Sequence, residues 1–305
     1  MYKFKTVVIG SVKSSQLILE GLLKNNINID LVCSVSEKYS NNISGYVPIH
    51  ETAKNNNIPY LKFRRITEEQ VYIQLKNLKP DYIFVVGLSQ IVPPSILALA
   101  DRACIGFHPT PLPKLRGRAA IPWQLLLQKK SSKISFFILD ENMDSGDIII
   151  QQNYKIFKKD YACDVHNTIQ KAIVKAIPRL ISKLYYRDSL IFKRQNQSKA
   201  TYLMARRPID GLINWNDTPE NIYDLIRATS KPYPGAYTYY KGVKIVIWKA
   251  DIVKNKKYIG FNGQIAKVNN SNIYIISGKK IINIVDYYAE EKLKFVVGSK
   301  FNNGK

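Results

Sequence analysis

Short unbroken apolar runs alternate along this chain with segments whose apolar residues recur every three or four positions. Residues 6–10 (TVVIG) form a β-branched run closed by glycine, as a buried parallel strand would be. In the next segment, 14–26 (SSQLILEGLLKNN), Leu17, Leu19, Leu22 and Leu23 give a largely helical spacing behind a serine cap. The same reading predicts strands over 29–36, 58–63, 80–87 and 103–108, and helices over 49–57, 67–79 (with a capping-box-like Thr67) and from 93 onward. The run PDYIFVVG reads as the central strand. A further strand, KISFFILD, and a long amphipathic helix over 164–186 follow. Strand–helix alternation of this kind predicts an α/β fold: a Rossmann-like open, mostly parallel sheet with helices on both faces.

After Tyr186 the pattern changes. Residues 187–211 are polar, basic and poorly periodic. A helix capped at Asp217–Thr218 and short strands over 237–242, 244–253, 263–268, 272–277 and 279–288 come next, separated by Gly, Asn and Lys turns. Their spacing of roughly ten residues predicts a small C-terminal β-barrel, OB-like in kind. The expected organisation is an α/β domain at 1–192, a linker at 193–206 and the barrel at 207–305.

Composition narrows the class. Hydrophobic residues make up 46% of the 305, enough for a packed core. No apolar stretch approaches the ~18 residues of a membrane span and no N-terminal signal is seen, so the expectation is a cytoplasmic protein. Cys33, Cys104 and Cys163 are odd in number and lack metal-ligand spacing, which fits a reducing compartment and no metal. The net charge of +23 fits a polyanion partner or an acidic membrane surface, but the basic residues are scattered and form no arginine-rich arm.

The chemistry gathers in two stretches, CIGFHPTPLPKLRGRAA (104–120) and FILDENMDSGDII (137–149). His108 follows an apolar run, so it falls on the carboxyl-end rim of the sheet, where ligands of such folds bind. The loop after PDYIFVV reaches the same rim. A histidine near a carboxylate can move a proton or stabilise charge on a carbonyl oxygen, and Pro109, Pro111 and Pro113 stiffen its loop. A histidine before proline also serves simply to cap a turn. Gly10 lacks the spaced glycines of a dinucleotide fingerprint, which argues against a nicotinamide enzyme. Trp215 and Trp248 occupy apolar-rich segments suited to core packing, and His50 and His166 sit in expected helices.

HPTPLPKLRGRAAIPWQLL followed by ISFFILDENMDSGDIIIQ resembles the formyltransferases that use 10-formyltetrahydrofolate. That family includes methionyl-tRNA, glycinamide ribonucleotide and sugar-nucleotide N-formyltransferases. The resemblance covers nearly the whole chain. It implies that His108 and Asp144 are catalytic, with no metal and no covalent intermediate. It further implies that Gly87, Leu88, Ser89, Gln90, Ile91, Leu139 and Asp140 hold the folate. Where the family carries Asn, this chain has Gly106, so oxyanion support is expected from Gln90, at or beside Gly106, or from the acceptor itself. ARRPIDGLINW (205–215) and PYPGAY (232–237) resemble the sugar formyltransferases, including the domain acting on UDP-4-amino-arabinose.

The expected acceptor is therefore an amino sugar, nucleotide-linked. Lys13, Ser14, Thr110, Arg116, Arg118, Arg206 and Arg207 are its candidate contacts, with Arg116 suited also to bracing its loop, Arg118 the better candidate for a phosphate, and Arg206 and Arg207 suited equally to a diphosphate or to bracing a domain junction. The alternatives are methionyl-tRNA as acceptor, which the charge favours, and a non-catalytic folate- or nucleotide-binding homologue, which Gly106 favours. The oligomeric state is left open, with a homodimer among the candidates.

Overall fold

The computed structural model describes residues 4–41, 43–185, 192–255, 257–269 and 272–302. Tyr186, the start of the expected connection up to Ile191, and the last three residues lie outside the described residues. The elements run β1 (Thr6–Ile9), α1 (Lys13–Lys24), β2 (Leu31–Val35), α2 (Ile49–Asn55), β3 (Tyr60–Phe63), α3 (Glu69–Leu78), β4 (Tyr82–Val85), α4 (Pro94–Leu97) and β5 (Ala103–His108). They continue with β6 (Arg116–Gly117), α5 (Ala120–Leu126), β7 (Ser131–Ile138), β8 (Ile148–Lys155), α6 (Ala162–Tyr185) and β9 (Tyr202–Leu203). The last are α7 (Pro219–Thr229), β10 (Ala236–Tyr240), β11 (Val243–Lys254), β12 (Ile265–Asn269), β13 (Asn272–Ser277) and β14 (Lys280–Ala289).

The chain divides into two compact units. Unit 1 comprises 1–120, 131–155 and 167–203; unit 2 comprises 121–130, 156–166 and 204–305. Unit 1 is built on a seven-stranded sheet in the order β3-β2-β1-β4-β5-β7-β8. The first five strands are parallel, and β7 and β8 are antiparallel. β1 and β4 are fully buried, as continuous apolar runs require when helices cover both faces. Strand order reverses beside β1 and β4, and the crevice in which such sheets bind ligands falls at their carboxyl ends.

Two expected caps differ. Helix α1 begins at Lys13 with Val12 as its N-cap, and Ser15 inside the first turn accepts the Val12 N–H (3.2 Å) while donating to the Val86 carbonyl (2.6 Å). The serine thus ties helix to strand instead of preceding the helix. Helix α3 starts after Glu68, not at Thr67; the Glu68 carboxylate reaches back to the N–H groups of Arg64 and Arg65 (2.9 and 2.8 Å). Strand β8 had no counterpart in the sequence reading, because its apolar run follows directly on the Asp-rich loop.

In unit 2 the strands order β10-β11-β14-β13-β12, all antiparallel. Residues 299–302 bond to both edge strands: Ile265 N–H to the Ser299 carbonyl (2.8 Å) and Tyr239 N–H to that of Asn302 (3.0 Å). This makes the sheet barrel-like by satisfying its edges. Trp215 is buried in its core, stacked on Phe301 and donating to Thr238 Oγ1 at 2.9 Å, whereas Trp248 is only partly covered. Among the described residues no helix is long and apolar enough to cross a membrane.

Candidate active site

Unit 1 brings together the two stretches that carry the chemistry. Strand β5 ends at His108, and the loop after it is pinned mainly through its carbonyls, since its three prolines offer no N–H. Ser135 Oγ donates to the Thr110 carbonyl (2.7 Å), Gln151 Nε2 to that of Leu112 (3.0 Å), and the Tyr154 hydroxyl to that of Pro109 (2.8 Å). Leu115 adopts a left-handed conformation (φ 62°), and its carbonyl accepts from both His108 Nε2 (2.8 Å) and Thr110 Oγ1 (3.1 Å).

That contact fixes the histidine's chemistry. A carbonyl only accepts, so Nε2 carries the hydrogen and Nδ1 is the ring atom left to work. Nδ1 lies 3.7 Å from Asp144 Oδ2. The separation is longer than a hydrogen bond, yet short enough for an ion pair or a single shared proton carrier. Asp144 Oδ2 is itself held by the N–H of Gly117 at 2.8 Å. Gly117 must be glycine: its φ is 107°, and a Cβ there would stand 2.5 Å from the Leu203 carbonyl oxygen. His108 is 7% exposed and the Asp144 side chain 20%, so the pair is largely shielded, with the carboxylate the more accessible partner.

The other candidate residues are distributed unevenly. Gly87 turns the chain after β4 with φ 61°, packed so closely against α1 that a Cβ would lie 2.0 Å from Val12 Cγ2. Beyond it Leu88 is half-buried, Ser89 is exposed, and Ile91 is 88% exposed. The Gln90 amide is spent on the β3–α3 connection, donating to the Arg64 carbonyl (2.9 Å) and accepting from Ile66 N–H (2.8 Å). It is therefore not aimed at His108 as the missing Asn would require.

Gly106 lies inside the sheet, in register with Val85 and Phe137. The space where a side chain would start is filled by Leu139 Cδ2 and the Phe137 ring. Asp140 points into its own loop, accepting from Ser145 Oγ (2.6 and 2.8 Å) and Asn142 N–H (3.1 Å).

One acceptor candidate, Thr110, needs correcting, and a second, Arg116, takes its alternative role as a brace. Thr110 is fully buried and its hydroxyl serves the turn, donating to Lys114 and Leu115 carbonyls. Arg116 is 1% exposed, with Nη2 on Gln195 Oε1 (2.7 Å) and Nη1 on the Tyr202 hydroxyl (3.3 Å). Both brace the loop, because apolar residues and neighbouring chain close over them. Arg118 is exposed, and Lys13 is exposed at the start of α1 with its ammonium on Gln16 Oε1 (2.9 Å), next to half-buried Ser14.

In unit 2, Arg206 donates to the Asp210 carbonyl (2.7 Å) and lies over the Trp123 ring, and its burial lowers its pKa; Arg207 is exposed. His50 is buried with Nε2 2.7 Å from Glu37 Oε1 and 3.4 Å from Glu51 Oε1. The three groups could chelate a cation, but the Lys62 ammonium, 3.2 Å from Glu37, already supplies positive charge there.

Three contributors escaped sequence reasoning: Leu115 through its backbone, Ser135, and Gln195. Gln195 sits in the polar stretch expected to be a linker, where no periodicity distinguishes it. It is 4% exposed.

Residues 3–181 match the formyl transferase family, and residues 206–305 match the formyl transferase C-terminal domain. A methionyl-tRNA formyltransferase of Alkaliphilus oremlandii is 29% identical over 262 residues, covering 84% of each chain. Among solved structures, WlaRD, a sugar 3N-formyl transferase crystallised with dTDP and 5-N-formyl-THF, aligns with a TM-score of 0.67 at 20% identity, covering 96% of this chain and 100% of its own. An N-formyltransferase from Helicobacter canadensis in complex with folinic acid and dTDP-3-aminofucose gives 0.66 at 21% identity, covering 94% and 100%. At those identities the two structures speak for the fold alone.

Proposed function

The chain belongs to the formyl transferase family in both its N-terminal and C-terminal parts, and from that premise we propose that it moves the formyl group of 10-formyltetrahydrofolate onto the amine of a nucleotide-linked amino sugar. The observation that carries the reading is the His108–Asp144 pair, with Nε2 tethered to the Leu115 carbonyl and Nδ1 facing the Asp144 carboxylate.

The donor fits the loop 87–91. Its tight turn at Gly87 brings backbone close, and the bare Ile91 side chain offers an apolar wall to a flat ring. Beside Gln90 and Ile91 lies a 610 Å³ cavity lined by Lys38, Arg64 and Arg65, suited to the donor's carboxylates. When bound, the folate supplies a formyl carbon on a nitrogen that must gain a proton on leaving. Asp144 Oδ2 takes the proton that the amine sheds as its lone pair bonds to that carbon. His108 Nδ1 receives that proton from Asp144, turns it to the oxygen on which negative charge gathers and passes it to the departing nitrogen as the old carbon–nitrogen bond breaks. The proton lost by the amine thus balances the one gained by the folate. Arg118, exposed on the same loop as His108, suits an acceptor phosphate.

A second reading, methionyl-tRNA as acceptor, is favoured by a 1140 Å³ groove within unit 2 lined by Lys129, Lys130, Lys158, Lys159 and Lys254, none of which is ion-paired among the described residues. The deciding experiment offers 10-formyltetrahydrofolate with dTDP- or UDP-4-amino sugars, dTDP-3-amino sugars, or methionyl-tRNA, each separately, and follows release of tetrahydrofolate. Turnover with a sugar and none with the tRNA supports the first reading, and the reverse supports the second. His108→Asn and Asp144→Asn should each lower kcat by ~10²–10⁴-fold. Turnover by both variants at the wild-type rate would refute the assignment of the pair.

A further inference from the structure

We infer that Gln195 is a positioning residue for this reaction: its side-chain amide sets where Asp144 stands relative to His108. The proposal rests on the formyl-transfer reading but deepens it. Gln195 belongs to none of the motifs that carried that reading.

The hydrogen bonds leave the amide no freedom. Oε1 accepts from Arg116 Nη2 at 2.7 Å, so Nε2 is the donor end. Nε2 gives one hydrogen to the Asp144 carbonyl (2.9 Å) and the other to the Gly146 carbonyl (2.6 Å). All of the amide's donors are used, and the whole group is buried. Asp144 needs such an anchor because its backbone is left-handed, with φ 50°. Asp adopts that conformation more readily than most non-glycine residues, yet still at a cost that the two carbonyl bonds help to offset.

The clamp reaches the other half of the pair as well. Arg116 and Gly117 form β6, which pairs in parallel with Tyr202 and Leu203 of β9. The Gly117 N–H then holds Asp144 Oδ2. The 193–203 segment therefore grips the histidine loop through β6 and the aspartate loop through Gln195. Arg116 strengthens the grip. It is buried, no carboxylate pairs with it among the described residues, and its Nε has no partner. A cation bonded to the amide oxygen polarises the amide and makes Nε2–H a better donor to the two carbonyls.

Gln195→Met removes all three bonds at similar volume. Gln195→Glu retains acceptance from Arg116 and removes both donations, so it separates the Arg116 contact from the carbonyl contacts. The expected result for both is a kcat lower by about tenfold to a hundredfold, as misplacement of a reacting group by ~1 Å produces, with KM for 10-formyltetrahydrofolate within twofold of wild type. Histidine ¹⁵N NMR supplies a readout that packing alone would not move. The chain has three histidines, so His50 and His166 act as internal references. The His108 Nδ1 resonance should shift in both variants while the other two stay fixed.

An unmoved His108 resonance, or kcat within twofold of wild type, in a folded variant overturns the proposal. If Gln195→Met melts before assay, Gln195→Glu carries the test. The resonances are read without substrate, so a wild-type enzyme inactive toward every acceptor would sink the functional reading alone.

Discussion

Gly106 stands where the resemblance read from the sequence implies Asn, and the packing around it makes a sharp prediction. A Cβ built on Gly106 would lie 2.7 Å from Leu139 Cδ2 and 2.8 and 2.9 Å from Phe137 Cζ and Cε1. Carbon atoms attract best at ~3.5–4.0 Å, so the overlap approaches an ångström. Leu139 is half-buried and can swing aside. Phe137 is buried in a cluster with Leu112 and Ile148, and its ring cannot move without displacing them. Overpacking of this kind costs about 1–3 kcal/mol, partly offset by the ~0.5–1 kcal/mol that any residue gains over glycine in a strand.

Gly106→Ala and Gly106→Asn should therefore both lose stability, by a similar net ~1–2 kcal/mol, because the clash begins at Cβ. For a unit of this size that lowers Tm by roughly 2–8 °C. Leu139→Ala should shrink the cost of Gly106→Ala, a non-additivity that a double-mutant cycle measures. Thermal melts of wild type, Gly106→Ala, Gly106→Asn, Leu139→Ala and the Gly106→Ala/Leu139→Ala double variant test this, with formyl transfer alongside. Restoring the family's Asn is not expected to raise kcat while Phe137 fills its place. Stability within 0.5 kcal/mol of wild type for both Gly106 variants would refute the packing argument.

Burial pushes the Cys33 and Cys104 thiols up to about 12, so both stay protonated near neutrality, while Cys163 is exposed. A thiol reagent at pH 8 should titrate Cys163 in the native protein and all three cysteines after denaturation; rapid loss of Cys33 in the native state would contradict the burial. His166, 3.0 Å from the Tyr233 hydroxyl, is pushed by burial down to about 4 from an ordinary 6.5. The unfolded chain therefore takes up the proton first. Stability should decline as pH falls from about 6.5 to about 4 and level off below, by up to ~3 kcal/mol, and His166→Phe should flatten denaturant midpoints across that window. Arg118→Ala should raise KM for a phosphate-bearing acceptor about tenfold with kcat retained, as loss of a charge-assisted contact made equally in ground and transition states would. An unchanged KM would remove Arg118 from the acceptor site.

How much of this molecule its sequence disclosed follows from what periodicity can carry. The buried strands β1, β4 and β5 and the long helix α6 were legible because an element with helices or sheet on its face must repeat apolar residues at fixed intervals. His108 was placed on the sheet rim by its position at the end of an apolar run, whereas Asp144 was singled out among three nearby aspartates only by resemblance. Contacts that depend on close approach of distant backbone carry no such signal. Gly117 is needed because the Leu203 carbonyl passes 2.5 Å from where its Cβ would be, and Leu115 matters through a carbonyl that any residue possesses. Thr110 was misjudged for the same reason, and the choice for Arg116 between ligand and loop brace stayed open: polar residues beside a candidate catalytic group look like ligands until one knows which chain segment closes over them. That segment is 193–203, polar and aperiodic because its bonds run to other loops and not along itself. A stretch of sequence that resembles a linker can thus hold a site together, and burial of a single amide distinguishes the two cases.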